Sequence, residues 1–145
     1  PTLPSPSSSA PVLPLSPSLL RLLMVSIVGR HHLLLLGPKG TGKSSALELA
    51  ERLLPEVAPS IQIRNHLLSE IEQPYPGIGP HHSPPVRKVG SDVRPQALLG
   101  RISAQGAWIR PGELTCAHGG VLLAHEFLEW PRDSREILRE PLELR

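Results

Sequence analysis

The most informative segment of this chain is Gly37-Pro38-Lys39-Gly40-Thr41-Gly42-Lys43-Ser44. It has the spacing G-x-x-x-x-G-K-[S/T] of a phosphate-binding loop. Its glycines allow a tight turn and a close approach of the backbone to phosphate, because they carry no Cβ. Backbone N–H groups from Gly40 to Ser45 are predicted to point at the phosphates, and the dipole of the following helix adds to the attraction. The alternative is an ordinary glycine-rich turn between a strand and a helix.

Three side chains of this loop need separate treatment. Lys43 is expected to reach the β- and γ-phosphates of a nucleoside triphosphate, and the Ser44 hydroxyl is expected to ligate Mg²⁺. Lys39 either contacts phosphate or faces solvent, and we favour solvent. The loop therefore predicts binding of ATP with Mg²⁺, although no motif that would read the base is visible.

The segments beside the loop fit a strand and two helices. The apolar run His32–Leu36 predicts a buried strand of a parallel sheet. Lys43–Leu54 has the apolar spacing of a helix, which Pro55 is expected to end. Upstream, a helix capped by Ser18 is expected to stop near Gly29.

The second half of the chain predicts further elements. Ser60–Gln73 is expected to be a helix, with Leu67, Leu68 and Ile71 as its buried stripe. The proline-rich residues 74–95 predict an ordered but irregular loop. The remaining expectations are a strand over Gln105–Ile109, a turn at Pro111-Gly112, a buried strand over Val121–Ala124, and a helix capped by Asp133 that runs through Arg139.

Composition restricts the class of protein. Residues 1–17 are rich in Pro and Ser and are expected to be disordered, which leaves residues 18–145 as one domain. The formal net charge of +2 is too small to argue for nucleic acid by itself. Cys116 is the only cysteine of the sequence, so no intrachain disulfide is expected. No stretch reaches the roughly 18 uncharged apolar residues of a membrane span, so we expect no membrane partner and a cytoplasmic location.

A P-loop ATPase also needs carboxylates at the end of a neighbouring strand. An Asp there holds the Mg²⁺ hydration shell, and the Glu that follows polarises the attacking water. The candidate here is Val121–Ala124 followed by His125 and Glu126. Glu126 is therefore the predicted catalytic residue, and His125 stands where Asp is expected. His125 is either a degenerate site residue or a neutral group that hydrogen-bonds a Mg²⁺-bound water, and we favour degeneration because Mg²⁺ prefers oxygen ligands.

Several of these stretches together resemble the AAA+ module of the magnesium-chelatase-like ATPases, and within them the ComM/YifB group. The resemblance runs from about Leu20 to Leu144. It is carried by His32-Leu33-Leu34-Leu35-Leu36-Gly37, Pro80-His81-His82-Ser83, Arg110-Pro111-Gly112-Glu113-Leu114, Ala117-His118-Gly119-Gly120-Val121-Leu122, the glutamates Glu126 and Glu129, and Arg139-Glu140-Pro141-Leu142-Glu143.

The resemblance implies an α/β nucleotide-binding core of the AAA+ kind, with a parallel sheet flanked by helices, usually acting as a hexameric ring. Its ComM branch is associated with DNA branch migration, and its chelatase branch with insertion of Mg²⁺ into porphyrin. Three departures bear on this expectation. His125 replaces the family's Asp, Lys39 replaces a usual proline of the loop, and the sequence stops at Arg145, where the family continues into sensor 1, the arginine finger and the lid.

The sequence leaves several alternatives open. The chain is expected to be an ATP-binding module of a ComM/YifB-type ATPase; the alternatives are a pseudo-ATPase that binds nucleotide without hydrolysis, and a non-functional fragment. His81 and His82 are either loop histidines or residues with a role near the nucleotide. A basic stretch forms either a solvated surface, which is the default, or a DNA contact; its members are Arg87, Lys88, Arg94, Arg101 and Arg110.

Overall fold

The first helix is set by its N-terminal cap. In the computed structural model, which describes residues 15–72, 84–103, 106 and 109–143, helix α1 spans Pro17–Gly29. The Ser16 hydroxyl accepts a hydrogen bond from the Leu19 N–H at 3.3 Å, and Pro17 occupies the first helical position, where its missing N–H costs nothing. The cap is therefore Ser16, and the expectation of Ser18 was wrong. The expected stop at Gly29 is confirmed, because Arg30 follows in the left-handed conformation.

Helix α2 spans Lys43–Leu53, within one residue of the expected range. The chain divides into two units, Pro1–Leu53 and Leu54–Arg145, and α2 completes the core of the first. That core consists of the buried residues Leu23, Ala46 and Ala50 with the partly buried Leu15, Leu19, Ile27, Leu35 and Leu49 around them. The alanines of α2 let α1 pack closely against it.

The strand expected over His32–Leu36 is not formed. Residues 31–38 have no regular secondary structure, and within Leu15–Leu53 the structure describes no strand that could pair with them. A strand is held by hydrogen bonds to a neighbour, so an apolar run without one stays irregular. Only Leu35 packs against the core, while Leu33, Leu34 and Leu36 are 40%, 56% and 68% exposed.

Helix α3 spans Pro59–Glu72 and opens the second unit. The helix was expected, but its predicted buried face was wrong: Leu67 is 54% exposed and Leu68 is half-buried. The side chain of Ile71 lies outside the described residues. Polar groups anchor α3 instead, since Arg64 donates a hydrogen bond to the carbonyl of His118 at 2.6 Å.

A two-stranded parallel sheet forms the centre of the second unit. Strand β1 spans Val86–Val89 and pairs with strand β4 over Val121–Ala124. The expectation for β4 is confirmed, whereas β1 falls within the stretch predicted to be an irregular loop, most of whose earlier residues lie outside the described part. The sequence pattern did not predict β1, because a run of only four residues after Pro85 carries a weak signal. Its strand conformation depends on pairing with β4.

Between these strands the chain forms two short helices and a hairpin. Helix α4 spans Pro95–Leu99, strand β2 spans Gly100–Ile102, strand β3 spans Ile109–Pro111, and helix α5 spans Glu113–Ala117. β2 and β3 pair antiparallel. The strand expected over Gln105–Ile109 lies largely outside the described residues, and β3 begins at its last residue. Pro111 ends β3 and Gly112 precedes α5 as its cap, so they do not form the separate turn that was expected.

The C-terminal segment closes the core of the second unit. After a 3₁₀ turn over Phe127–Glu129, helix α6 spans Arg132–Ile137 and helix α7 spans Arg139–Glu143. Asp133 is thus in the first turn of α6 and is not its cap, and the expected single helix breaks at Leu138. The fully buried Ser134 hydroxyl donates to the Val93 carbonyl at 2.7 Å, which satisfies it inside the protein. The buried apolar residues of this core are Val89, Val93, Leu98, Trp130 and Leu138.

This combination of helices with a small parallel sheet is consistent with an α/β nucleotide-binding fold. None of the helices in the described part of the chain is long and apolar enough to cross a membrane. The division into a disordered segment over residues 1–17 and a domain over 18–145 stays a prediction, since residues 1–14 lie outside the described ones.

Gly112 provides a test of how closely the second unit is packed. A Cβ built there would fall on the carbonyl oxygen of Leu98 and the backbone nitrogen of Gly100. We expect Gly112→Ala to lower the free energy of unfolding by about 2 kcal/mol or more, because backbone atoms must move. Urea unfolding of the variant against wild type measures this loss.

Gly90→Ala is the matched control, since a Cβ at Gly90 would meet the Asp92 carboxylate only at 3.4 Å, an ordinary contact. Its unfolding midpoint should stay close to that of wild type. Equal midpoints for both variants would show that the backbone around Gly112 is not tightly packed.

Candidate nucleotide-binding site

The glycine-rich loop lies in the first unit, directly before α2. Gly40 and Gly42 both have a φ of +82°, a backbone conformation that residues with a side chain rarely adopt. The first backbone hydrogen bond of α2 runs from Ala46 N–H to the Gly42 carbonyl at 2.8 Å. The helix itself therefore does not use the N–H groups of residues 43–45, which carry the positive end of its dipole.

The side chain of Lys43 turns back onto this loop. Its ammonium group donates hydrogen bonds to the carbonyls of Gly37 and Pro38 at 2.7 and 2.6 Å. The Thr41 hydroxyl donates to the same Pro38 carbonyl at 2.9 Å. These bonds tie the start of the loop to its end, so the loop is held in a compact turn with a positive charge against its backbone.

The remaining loop residues are mostly accessible. The side chains of Lys39 and Ser44 are exposed, and Ser45 is half-buried. Exposure leaves the Ser44 hydroxyl free of packing constraints. Lys39 is exposed as well, so both of its predicted roles, contact with phosphate or with solvent, stay open. A Cβ at Gly37 would meet the Thr41 hydroxyl at 3.2 Å, so a side chain there would crowd the turn.

The second group of expected site residues follows β4 in the second unit. The N–H of His125 donates to the Val89 carbonyl at 2.9 Å, which extends the β1–β4 pairing by one residue. Glu126 comes next and has φ 50° and ψ 41°, the left-handed conformation. A residue with a Cβ pays roughly 1–2 kcal/mol to adopt it, and its exposed side chain is thereby turned away from the line of the strand.

The side chain of Trp130 stabilises this turn. Its buried indole N–H donates to the His125 carbonyl at 3.0 Å, and its ring packs edge-on against Phe127 at a centroid distance of 5.4 Å. The N–H of Glu129 also donates to the Glu126 carbonyl at 2.8 Å. Sequence reasoning did not assign a role to Trp130; the signal available was a tryptophan four residues after the strand-end glutamate.

Gly112 and Glu113 of the Arg-Pro-Gly-Glu stretch make structural contacts in this chain. Glu113 forms a two-pronged ion pair with Arg87 of β1, with distances of 2.6 and 3.1 Å. Gly112 allows the backbone contact with α4 described above. The Glu113–Arg87 ion pair joins α5 to the sheet.

Two further expectations concern metal ligands. His81 and His82 lie outside the described residues, so their role stays open. Within the ranges that the structure describes, no group of three or more His, Cys, Asp or Glu side chains could hold a metal ion.

Comparison with known proteins decides the family. The family model described as "Magnesium chelatase, subunit ChlI" matches residues 17–145. The chain belongs to this family. The resemblance stated from the sequence is thus confirmed, and it covers both the glycine-rich loop and the strand-end turn.

Individual relatives point to the same branch. Uncharacterized protein YifB of Escherichia coli (strain K12) is 34% identical over 130 residues, which cover 83% of this chain and 23% of YifB. Competence protein ComM of Haemophilus influenzae is 32% identical over 123 residues, which cover 85% of this chain and 23% of ComM. The chain thus spans about a quarter of the length of these relatives.

The conformation of Glu126 can be tested by comparing two substitutions. Glycine adopts the left-handed region without strain, whereas alanine does not. We expect Glu126→Gly to be more stable than Glu126→Ala by about 1 kcal/mol, measured by urea unfolding. Glu129, in the 3₁₀ turn, is the control: there the glycine variant should be the less stable of the two. The same order at both positions would contradict the left-handed assignment.

Proposed function

We propose that this chain is the ATP-binding module of a magnesium-chelatase-like AAA+ ATPase, and that it binds ATP with Mg²⁺ through Gly37–Ser45. The observation that carries the proposal is the loop itself, with its two left-handed glycines, its lysine against the loop backbone, and a helix that starts at that lysine. Membership of the magnesium chelatase family supports it.

The residues of the loop fit a triphosphate in charge and in shape. Backbone N–H groups at the start of α2 can donate to phosphate oxygens, and Gly40 and Gly42 present no side chain that would keep the phosphates away. Lys43 would exchange its bonds with the Gly37 and Pro38 carbonyls for bonds to the β- and γ-phosphates. That exchange is favourable, because a phosphate oxygen carries more negative charge than a carbonyl oxygen.

Mg²⁺ would be held by the Ser44 hydroxyl together with phosphate oxygens of the nucleotide. It would neutralise charge that develops on the phosphates when the terminal bond breaks. On the protein side, we propose that Glu126 orients the attacking water, by resemblance to the family. His125 brings no negative charge where the family has Asp, so we propose that hydrolysis by this chain is very slow.

A pseudo-ATPase that uses nucleotide only as a bound ligand is the second candidate, and His125 is the observation that favours it. The backbone of His125 is fully engaged, with its N–H on β1 and its carbonyl on Trp130. Residue 125 thus stabilises the end of β4 through its backbone, whatever side chain it carries. Assembly into a ring is proposed from family membership alone.

The nucleotide site is tested by Lys43→Ala. Removing the ammonium group should weaken the binding of Mg·ATP by roughly 10- to 100-fold, because a hydrogen bond to a charged group contributes about 1.5–3 kcal/mol. Isothermal titration calorimetry of both forms measures this change. Lys39→Ala removes the same charge from an exposed position of the same loop, and its dissociation constant should change by less than about threefold, since exposed charges are screened. Equal losses in both variants would refute the role of Lys43.

Hydrolysis is tested by His125→Asp. Restoring a carboxylate beside Glu126 should raise the Mg²⁺-dependent turnover of ATP by roughly one order of magnitude or more, because fixed charges at the transferring phosphate dominate this chemistry. Phosphate release under single-turnover conditions measures it. His125→Asn is the matched control, of similar size to Asp and without its charge, and should stay at the wild-type rate. If wild type and His125→Asp turn over equally fast, the imidazole is an adequate replacement and hydrolysis is not impaired at this position.

A further inference from the structure

The second unit contains a cleft of about 600 Å³ between β1, α4 and the β2–β3 hairpin. Its volume is in the range of small-molecule sites, roughly 300–1,000 Å³. Basic side chains dominate its lining, and they come from three separate segments: Arg87, Lys88, Arg94, Arg101 and Arg110. The proposed nucleotide loop contributes no residue to it.

The acidic residues of the cleft do not balance this charge. Two acids line it, Asp92 and Glu113. Glu113 is already engaged by Arg87 through two hydrogen bonds of 2.6 and 3.1 Å. Among the residues that the structure describes, none forms an ion pair with Arg94, Arg101 or Arg110. A single exposed carboxylate, that of Asp92, therefore faces three guanidinium groups.

The hairpin register places two of these guanidinium groups on adjacent residues across the ladder. Arg101 of β2 lies directly opposite Arg110 of β3. Directly opposed residues have their Cβ atoms about 4.5–5.5 Å apart, and like charges there destabilise the pairing. Among the described residues the ladder has three pairs. Beside Arg101 and Arg110 it pairs Ile102 with Ile109, whose side chains are 71% and 62% exposed. An anion between the two arginines would turn this repulsion into attraction to a shared partner.

We propose that this cleft is a second phosphate-binding site, which takes a ligand carrying several phosphate groups. A guanidinium group presents a planar set of donors that matches the oxygens of a phosphate, often through two bonds at once. Arg94, Arg101 and Arg110 all line one cleft of about 600 Å³, so they suit a compact anion of high charge better than carboxylates spread along an acidic peptide.

The phosphates can belong to a free oligophosphate or to the backbone of a nucleic acid. The lining residues that the structure describes include no aromatic ring, and stacking on such rings is how single strands are usually held by their bases. These residues therefore recognise charge, without selecting a base. The inference does not rest on nucleotide binding by Gly37–Ser45.

The test uses the Lys43→Ala chain as its background, so that the glycine-rich loop contributes little to phosphate binding. Tripolyphosphate and a short single-stranded oligonucleotide are titrated separately by calorimetry. The test variant carries Arg101→Gln with Arg110→Gln. The control variant carries Arg132→Gln with Arg135→Gln, which removes the same charge from exposed positions of α6 outside the cleft.

We expect the affinity of the test variant for its probe to fall by about tenfold or more, because charge-assisted hydrogen bonds are lost. The control variant should change by less than about threefold, since its charges are exposed and screened. Loss confined to tripolyphosphate identifies a free oligophosphate, and loss confined to the oligonucleotide identifies a nucleic-acid backbone. Equal losses in both variants, or no binding of either probe, would overturn the proposal.

The melting temperature shows whether the test variant is folded. Without ligand, Arg101→Gln with Arg110→Gln should melt at the same temperature as the background or higher, because a like-charge pair is removed. A saturating probe should raise the melting temperature of the background and of the control, since it binds only the folded state. An equal rise in the test variant would place the binding elsewhere and refute the cleft.

Discussion

The parallel pairing of β1 with β4 is the interaction on which the second unit depends. It brings Val86–Val89 next to Val121–Ala124, two segments separated by more than thirty residues of chain. The core of this unit packs against the pair through Val89, Leu98 and Trp130. Two further features are attached to these strands: the turn with Glu126 follows the end of β4, and Arg87 of β1 anchors α5 through Glu113.

The chain turns sharply after β4, and the turn places a strained residue, Glu126, two residues beyond the last residue of the strand. The left-handed conformation of Glu126 is maintained by bonds made by its neighbours: His125 to Val89 and Trp130 to His125. Strain of this kind persists only where the surrounding structure enforces it. The buried tryptophan thus supports the turn through the backbone carbonyl of His125, a group that every residue type at this position would offer.

The first unit depends on a different constraint, the close packing of α1 on α2 through Ala46 and Ala50. Lys43 and the N–H groups of residues 43–45 lie at the N-terminus of this packed helix. The loop itself is closed by its own bonds, from Lys43 and Thr41 to backbone carbonyls. Its shape is consequently a local property, and this explains how so short a motif can be recognised in a sequence.

The sequence by itself determined what is local: the glycine-rich loop, the helix that follows it, the strand Val121–Ala124, and the family. Glycine spacing, helical periodicity and a short apolar run each involve only a few neighbouring residues, so they can be recognised in the sequence without knowledge of the fold. The tertiary structure alone decided what depends on a distant partner. His32–Leu36 is irregular, and the described part of the first unit contains no strand that could pair with it. β1 formed because β4 lies beside it. Helical periodicity identifies an apolar face but not what covers it, so the exposure of Leu67 could not be predicted. The opposition of Arg101 and Arg110 likewise follows from hairpin register, which pairs residues that no sequence window relates.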